Sequence, residues 1–332
     1  ALHAAMLEGY GLKVYECDLN EVLRQSEESG ILYNATMIRQ MITHDDITQL
    51  PKIHFAGYSD IKPMPGAELI EALADSYHHV GLDDTIVVTR SNKRANIFNQ
   101  GIRNMVLDRE EELSQGDILM IVKNNYYWME EERKKIKEKE IEERRVKSEG
   151  TESGTATHKV QSSKFQVQSN EIPAFLANGD RAKVLKVRRR IDLYGFRFAT
   201  LLLQFPDYDN YELEATVLLD TLTSEAPALT HEQQEQLFHQ IEEDYQDIPL
   251  KADRMKAIRQ DQFFNALQVK FAYAVTCHKA QGGQWAHVYV DQGYMTDDML
   301  NPDYIHWLYT AFTRATEMLY LVNWPETQTV QC

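Results

Sequence analysis

Two polar blocks near the C-terminus carry the residue types that phosphate chemistry uses. The first is Ala274-Val275-Thr276-Cys277-His278-Lys279-Ala280-Gln281-Gly282-Gly283-Gln284, and the second is Tyr309-Thr310-Ala311-Phe312-Thr313-Arg314-Ala315. Fixed cations and oriented N–H donors can meet negative charge as it develops on a transferring phosphoryl group. Hydroxyls and amides suit contacts to a nucleic-acid backbone, and a Gly-Gly turn permits close approach to a phosphate. A strand-like run, Val269 to Val275, leads into the first block, and another, Met318 to Val322, follows the second. Both blocks are therefore expected at strand ends, where α/β sheets bind their ligands.

The remaining chain must supply the scaffold. Asp84 to Thr89 reads as a buried strand that breaks at Ser91-Asn92 into a helix with Ala95, Ile97, Phe98, Ile102 and Val106 as its apolar positions. Strand, polar turn and helix form the unit of a parallel α/β sheet. Leu12 to Cys17 reads as a short strand, and residues 67–78 as a helix with Leu69, Ile70 and Leu73 on one face. From Gly116 to about Leu219 the pattern shifts to short strands over Asp117–Val122, Arg181–Val187, Phe198–Gln204 and Glu212–Leu219, with Asn178-Gly179-Asp180 as a tight turn. This is the composition of a small β-barrel.

Within that region, residues 130–147 are almost entirely charged. Glu130–Lys134, Glu131–Lys135, Glu140–Arg144 and Glu143–Lys147 stand at the i, i+4 spacing of an exposed helix. Residues 148–170, rich in Ser, Thr, Gln and Gly, read as a flexible tether. Helix returns over 230–265, opened by a Thr230-x-x-Gln233 capping box and continued by a second helix from Lys251 to Asn265. The chain is then expected to rejoin the sheet at Leu267.

The order T-x-H-K-x-Q-G-G-Q followed by Y-T-A-x-T-R-A resembles motifs V and VI of superfamily-one helicases, nearest to the RecD-type branch. Leu19-Asn20-Glu21-Val22-Leu23-Arg24-Gln25 resembles motif IV, on a helix continuing through Ser29, Ile31, Leu32, Ala35, Ile38 and Ile42. The resemblance implies an α/β fold, a RecA-like parallel-sheet motor domain interrupted by a small SH3-like β-barrel insertion. It implies that 1–12 is the tail of a first motor domain, that 13–115 and 230–332 are two segments of the second, and that 116–229 is the inserted barrel. The charged and polar stretch 130–170 departs from the family's more compact barrel. ATP and Mg2+ are the implied cofactors, held mainly by the first domain. This sequence has no G-x-x-x-x-G-K-[ST] and no Asp-Glu pair after an apolar strand. Alone, the chain is expected to hydrolyse ATP negligibly.

The same resemblance assigns roles. Arg314 and Arg24 become the catalytic pair that contacts the γ-phosphate across the cleft; pairing of Arg314 with Glu317, or a plain surface position for Arg24, is the alternative. Gln25, Gly282 and Gln284 fall beside the nucleotide, with Gln284 standing where many relatives carry glutamate. Thr276, His278, Lys279 and Gln281 fall on the backbone of single-stranded DNA, with a core imidazole the alternative for His278. Apart from those motifs, Thr89, Asn92 and Asn96, with Ser91, begin a helix after a strand, where backbone N–H groups could hold a phosphate. Ordinary N-capping explains Ser91 or Asn92 equally well. Lys183, Lys186, Arg188, Arg189 and Arg190, with Tyr194 and Phe196, form either a stacking groove for single strands or a solvated barrel face. Tyr126, Tyr127 and Trp128 stack on bases or pack in the core.

Composition sets the limits. With 51 acidic and 35 basic residues, the formal charge is −16, which argues against nonspecific phosphate attraction over the whole surface but allows a local basic groove. Cys17, Cys277 and Cys332 share no metal-ligand spacing, and no metal site is expected within the chain. No signal pattern and no apolar run of about twenty residues occurs, so a cytoplasmic protein without a membrane partner is expected. The expected partners are single-stranded DNA, the chain's own N-terminal RecA-like domain, and a protein docking through 130–170. Alternative readings are a non-catalytic DNA- or protein-binding module and an RNA translocase.

Overall fold

Thr85-Ile86-Val87-Val88-Thr89 is buried at every position, as a central parallel strand covered on both faces requires. The computed structural model describes residues 4–15, 28–44, 48–149 and 173–330. In chain order its strands are β1 (Ile61–Met64), β2 (Thr85–Thr89), β3 (Ile118–Ile121), β4 (Arg181–Leu193), β5 (Phe196–Phe205), β6 (Tyr211–Leu218), β7 (Leu267–Phe271), β8 (Ala274–Thr276), β9 (Trp285–Asp291) and β10 (Ala315–Val322). Five of them form one parallel sheet in the order β1-β10-β9-β2-β8, and the other five close a barrel in the order β3-β4-β5-β6-β7. The expected class, an α/β parallel sheet interrupted by a barrel, is the observed one.

The helices are α1 (Ala4–Gly9), α2 (Gly30–Thr43), α3 (Leu69–His79), α4 (Asn92–Gly101), α5 (Tyr127–Glu149), α6 (His231–Asp244), α7 (Lys251–Arg259), α8 (Cys277–Ala280) and α9 (Pro302–Phe312). Two of them open on the expected chemistry. Thr230 and Gln233 form a reciprocal capping box at α6, and Ser91 accepts from the Arg94 N–H at α4. The last turn of α4 widens into a π-helical turn over Ile102–Val106, where the Leu107 N–H reaches back to the Ile102 carbonyl at 3.0 Å.

The barrel closes because β4 bends. Its register against β5 shifts between Val184 and Lys186 and again between Val187 and Arg189, so a 13-residue strand curls round the core. The hairpin to β5 turns on Tyr194 and Gly195, both at positive φ, which matches the strand twist. One apolar core runs from Val88 in the sheet to Leu203 in the barrel, and α6 and α7 cover a second cluster around Phe196, Phe198 and Leu218.

Several expectations are corrected. Val269–Val275 is two strands. β7 pairs with β3 in the barrel, Ala272-Tyr273 crosses over, and β8 joins the sheet, so the chain rejoins it at Ala274 rather than at Leu267. Leu12–Tyr15 carries no strand, and α2 starts afresh at Gly30, with the Ser29 hydroxyl accepting from the Leu32 N–H at 3.1 Å. The segment 16–27, with Arg24 and Gln25, lies outside the described residues, as does most of 148–170. α7 stops at Arg259, short of Asn265. Among the described side chains of α5 the ion pairs are Glu131–Lys134 and Glu132–Lys135, at i, i+3 and 2.6 Å each, one residue closer than the expected spacing; the expected pairs Glu140–Arg144 and Glu143–Lys147 lie outside the described side chains.

Where the chain passes between sheet and barrel, one carboxylate gathers both crossings. Asp117, fully buried at the entry to β3, accepts from Arg103 Nε at 3.2 Å and Nη2 at 3.1 Å, and from Arg109 Nη1 at 2.8 Å. It also accepts from the Ser114 N–H at 2.7 Å and from the Tyr273 hydroxyl at 2.9 Å. Arg103 is itself buried, with its guanidinium 4.4 Å from the Phe271 ring centroid. Removing one partner of such a group leaves buried charge uncompensated. Asp117→Ala is expected to lower unfolding free energy by about 3–5 kcal/mol in urea denaturation. Arg190→Ala, which removes an exposed pair with Glu111 and a bond to the Leu113 carbonyl, is expected to cost no more than about 1 kcal/mol.

Candidate functional site

The two polar blocks meet at the amino end of the sheet. β8 delivers the first block at its carboxyl end, α8 has only four residues, and the chain returns through Gln281–Gln284 to start β9 at Trp285. The second block ends α9 and starts β10 at Ala315, beside Trp285. Arg314 therefore sits at an amino end, so the expectation that both blocks lie at ligand-binding strand exits holds only for Thr276. The Trp285 N–H donates to the Arg314 carbonyl at 3.0 Å. The Arg314 guanidinium donates to the Gly283 carbonyl at 2.9 Å, to the Thr310 carbonyl at 2.9 Å and to the Thr313 hydroxyl at 3.0 Å. Thr310 and Thr313 turn their own hydroxyls back onto carbonyls of the last turn of α9.

Gly282 and Gly283 serve different ends. Gly282 stands at φ +92° with open space where a side chain would be, and Gly283 lies under the Trp285 indole, where an added Cβ would meet ring atoms at 2.3 Å. Beside them opens a cleft of about 640 Å³ between sheet and barrel. His278, Lys279, Gln281, Gly282 and Gln284 line one side, while Asp83, Asp84, Arg181 and Asp207 face them. Arg181 reaches from β4 to the Asp83 carbonyl at 2.8 Å, and burial lowers its pKa. His278, Gln281 and Gln284 are exposed. Among the described residues, none of these three side chains has a hydrogen-bond partner.

Lys279 behaves differently. Its ammonium is buried without a hydrogen-bond partner among the described residues, and burial, with Lys270 adding to it, pushes its pKa down to about 8. Lys270 is also pushed down to about 8 by burial, but its ammonium donates to the Thr221 and Ser224 carbonyls. Cys277 is a buried thiol pushed up to about 12, which leaves it unreactive.

The other expected contacts lie at the opposite, carboxyl edge. Thr89 is adjacent in register to Thr276 on one side and to Asp291 on the other. Its hydroxyl is buried and donates to the Ser91 carbonyl at 3.1 Å. The Asn96 amide is held by the Thr223 and Ser224 carbonyls at 2.8 and 3.0 Å, bracing α4 against the barrel. Asn92 and Thr276 are half-buried, and no side-chain hydrogen bond holds either of them among the described residues. The DNA-contact set is thus divided between two edges. Sequence reasoning passed over Arg90, exposed at the end of β2, because a lone arginine beside Ser91-Asn92 has no spacing to mark it.

In the barrel's basic stretch Arg188 pairs with Glu214 and Arg190 with Glu111, and the Tyr194 hydroxyl donates to Asp244, while Lys183, Lys186 and Arg189 have no ion pair among the described residues. Phe196 is buried in the second cluster. Trp128 is core, its indole donating to the Asn265 carbonyl, and Tyr126 stacks on Phe175 at the surface.

Two substitutions probe this packing. Gly283→Ala is expected to displace the Trp285 indole, cost about 1–3 kcal/mol and change tryptophan fluorescence; Gly283 and Trp285 would be independent if the spectrum did not move. Lys279→Met is expected to raise the melting temperature at pH 7. The folded-state pKa lies below the unfolded value, so the burial penalty is complete below about pH 8 and disappears as pH rises to 10.5. The advantage of the variant should shrink over that window in thermal scans.

Residues 271–322 match the UvrD-like helicase C-terminal domain family. A search of curated protein sequences found no match. Among solved structures, Pif1 helicase from Bacteroides in complex with ADP-AlF3 and ssDNA aligns with a TM-score of 0.38 at 10% identity, over 94% of this chain and 53% of that one. Pif1 helicase from Candida albicans aligns with a TM-score of 0.35 at 12% identity, over 94% and 57%. The chain spans little more than half the length of the Pif1 chains it matches. No helix among the described residues is long and apolar enough to cross a membrane. The segment that brings Arg314 to Gly283 is thus similar in sequence to the C-terminal domain of superfamily-one helicases.

Proposed function

We propose that this chain is the second motor domain of an ATP-dependent helicase or translocase acting on single-stranded DNA. The carrying observation is the direct bond from Arg314 to the Gly283 carbonyl, which ties the two helicase-like blocks into one unit beside Gln284. The family match over 271–322 covers both blocks.

The residues present fit a share of a nucleotide site and not the whole of it. Arg314 and Gln284 would face the phosphates and the nucleoside from this side. Among the described residues no three His, Cys, Asp or Glu side chains gather as metal ligands. ATP and Mg2+ would therefore be held mainly by an N-terminal RecA-like domain, where bound ATP supplies the free energy of phosphoryl transfer. Arg314 contributes charge stabilisation once its guanidinium exchanges the Gly283 and Thr310 carbonyls for a phosphate across the interface. Because the Gly283 bond breaks in that exchange, the Thr276–Gln284 return segment is released as Arg314 engages. This couples nucleotide state to the residues proposed to grip DNA, Thr276, His278 and Gln281. Arg24 and Gln25 are proposed for the same side of the cleft. Alone, the chain is proposed to be inactive as an ATPase.

The test is ATP hydrolysis by the longer protein that carries this chain, with and without single-stranded DNA. Arg314→Ala is expected to lower DNA-stimulated turnover by about 10³–10⁵-fold with ATP binding largely kept. Unchanged turnover in the variant, or no stimulation by DNA in the parent, would overturn the reading in favour of a binding module.

A further inference from the structure

One neighbour ties down both ends of Arg314. Trp285 pairs with Ala315 in register at the start of β9, and its N–H donates to the Arg314 carbonyl at 3.0 Å, which fixes the backbone where β10 begins. The Trp285 carbonyl accepts from the Thr316 hydroxyl at 3.2 Å. Any residue at this position could keep those backbone bonds. The indole adds a contact that depends on its length. It folds back onto Gly283, and the far edge of its six-membered ring, Cη2, Cζ2 and Cζ3, lies 2.3 to 2.9 Å from where a Cβ at 283 would stand. The carbonyl of that same Gly283 accepts from the Arg314 guanidinium at 2.9 Å.

The plate that covers Gly283 is rigid. Trp285 is 5% exposed and packed into the main core. Two successive glycines otherwise leave the backbone unusually free, and Gly282 stands in open space at φ +92°. The indole removes that freedom at Gly283 and holds its carbonyl toward Arg314. A carbonyl held still competes with any other acceptor for the guanidinium. Only molecules in which Arg314 has left it can present the charge elsewhere.

We propose that the Trp285 indole is the positioning element of an autoinhibitory latch, pinning the Gly283 carbonyl so that Arg314 stays parked on its own domain until a strand draws on the Thr276–Gln284 segment. The latch rests on the motor reading above and adds to it a side chain that restrains turnover in the absence of DNA.

The experiment measures ATP hydrolysis by the longer protein, with and without single-stranded oligothymidylate, alongside its melting temperature. Trp285→Phe keeps an aromatic ring in the core and every backbone bond, but withdraws the far edge from Gly283. It is expected to raise DNA-free turnover by about three- to tenfold while DNA-stimulated turnover stays near the parent's, so that the stimulation ratio falls. Gly283→Ala, which pushes the ring away from the other side, is expected to move DNA-free turnover in the same direction. Unchanged DNA-free turnover in both variants would overturn the latch and leave the motor reading in place. Turnover that falls with and without DNA, together with a lowered melting temperature, would overturn it too, by making Trp285 a packing residue alone. A parent protein without DNA-stimulated turnover would remove both readings.

Discussion

The buried carboxylate of Asp117 is the constraint on which the arrangement of this molecule depends. Two arginines, one backbone N–H and one phenol converge on it, and they come from both places where the chain passes between sheet and barrel. A buried acid this fully satisfied tolerates little displacement, because every donor would have to move with it. The barrel is consequently held at a fixed tilt against the edge strand β8, and that tilt opens the cleft beside His278, Lys279 and Gln281. Arg181 and Asn96 add smaller braces on either side, one to the loop before β2 and the other to the loop after β6.

Fixing the barrel also divides the sheet's two edges between different chemistries. The amino edge holds Arg314 against Gly283, while the carboxyl edge presents Arg90, Asn92 and Thr276. The segment from Thr276 to Trp285 is the short link between them, with α8 only a single turn long. A change at one edge therefore has about ten residues of chain through which to act on the other, and Gly282 at positive φ is the point where that link bends.

Legibility in the sequence varied with the range of the interaction. Local patterns served well: the apolar run of β2, the Thr230–Gln233 box and the four barrel strands up to Leu218 all stand where local chemistry puts them, whereas of the two polar blocks only the first leaves a strand exit, at Thr276. Features set by distant partners did not show. Nothing in Leu267–Thr276 marks Ala272-Tyr273 as a crossing, because its apolar residues suit barrel and sheet alike, and Tyr273 is decided by Asp117, 156 residues away. Arg90 was equally silent, since its partners are the rings of Tyr304 and Trp307 and the sulfur of Met295, which lies 205 residues away. The charged run on α5 gave the helix but placed the ion pairs of Lys134 and Lys135 one residue too far apart, because rotamers choose between i+3 and i+4 where spacing alone does not. The division of the polar residues between two edges required the strand order, which periodicity never specifies.

The π-helical turn at Ile102–Val106 has a consequence for how this architecture can vary. Such a turn holds one residue more than an α-helical turn, and Arg103 lies within it. Deleting any one residue there would restore ordinary helix and rotate the upstream chain by about 100° relative to the downstream chain. Arg103 would swing away from the carboxylate while Arg109 stayed. Substitutions along this turn are matters of degree, but a single in-frame codon loss would reset the angle at which the barrel meets the sheet. The docking angle is thus encoded in the count of residues at this turn as much as in their identity.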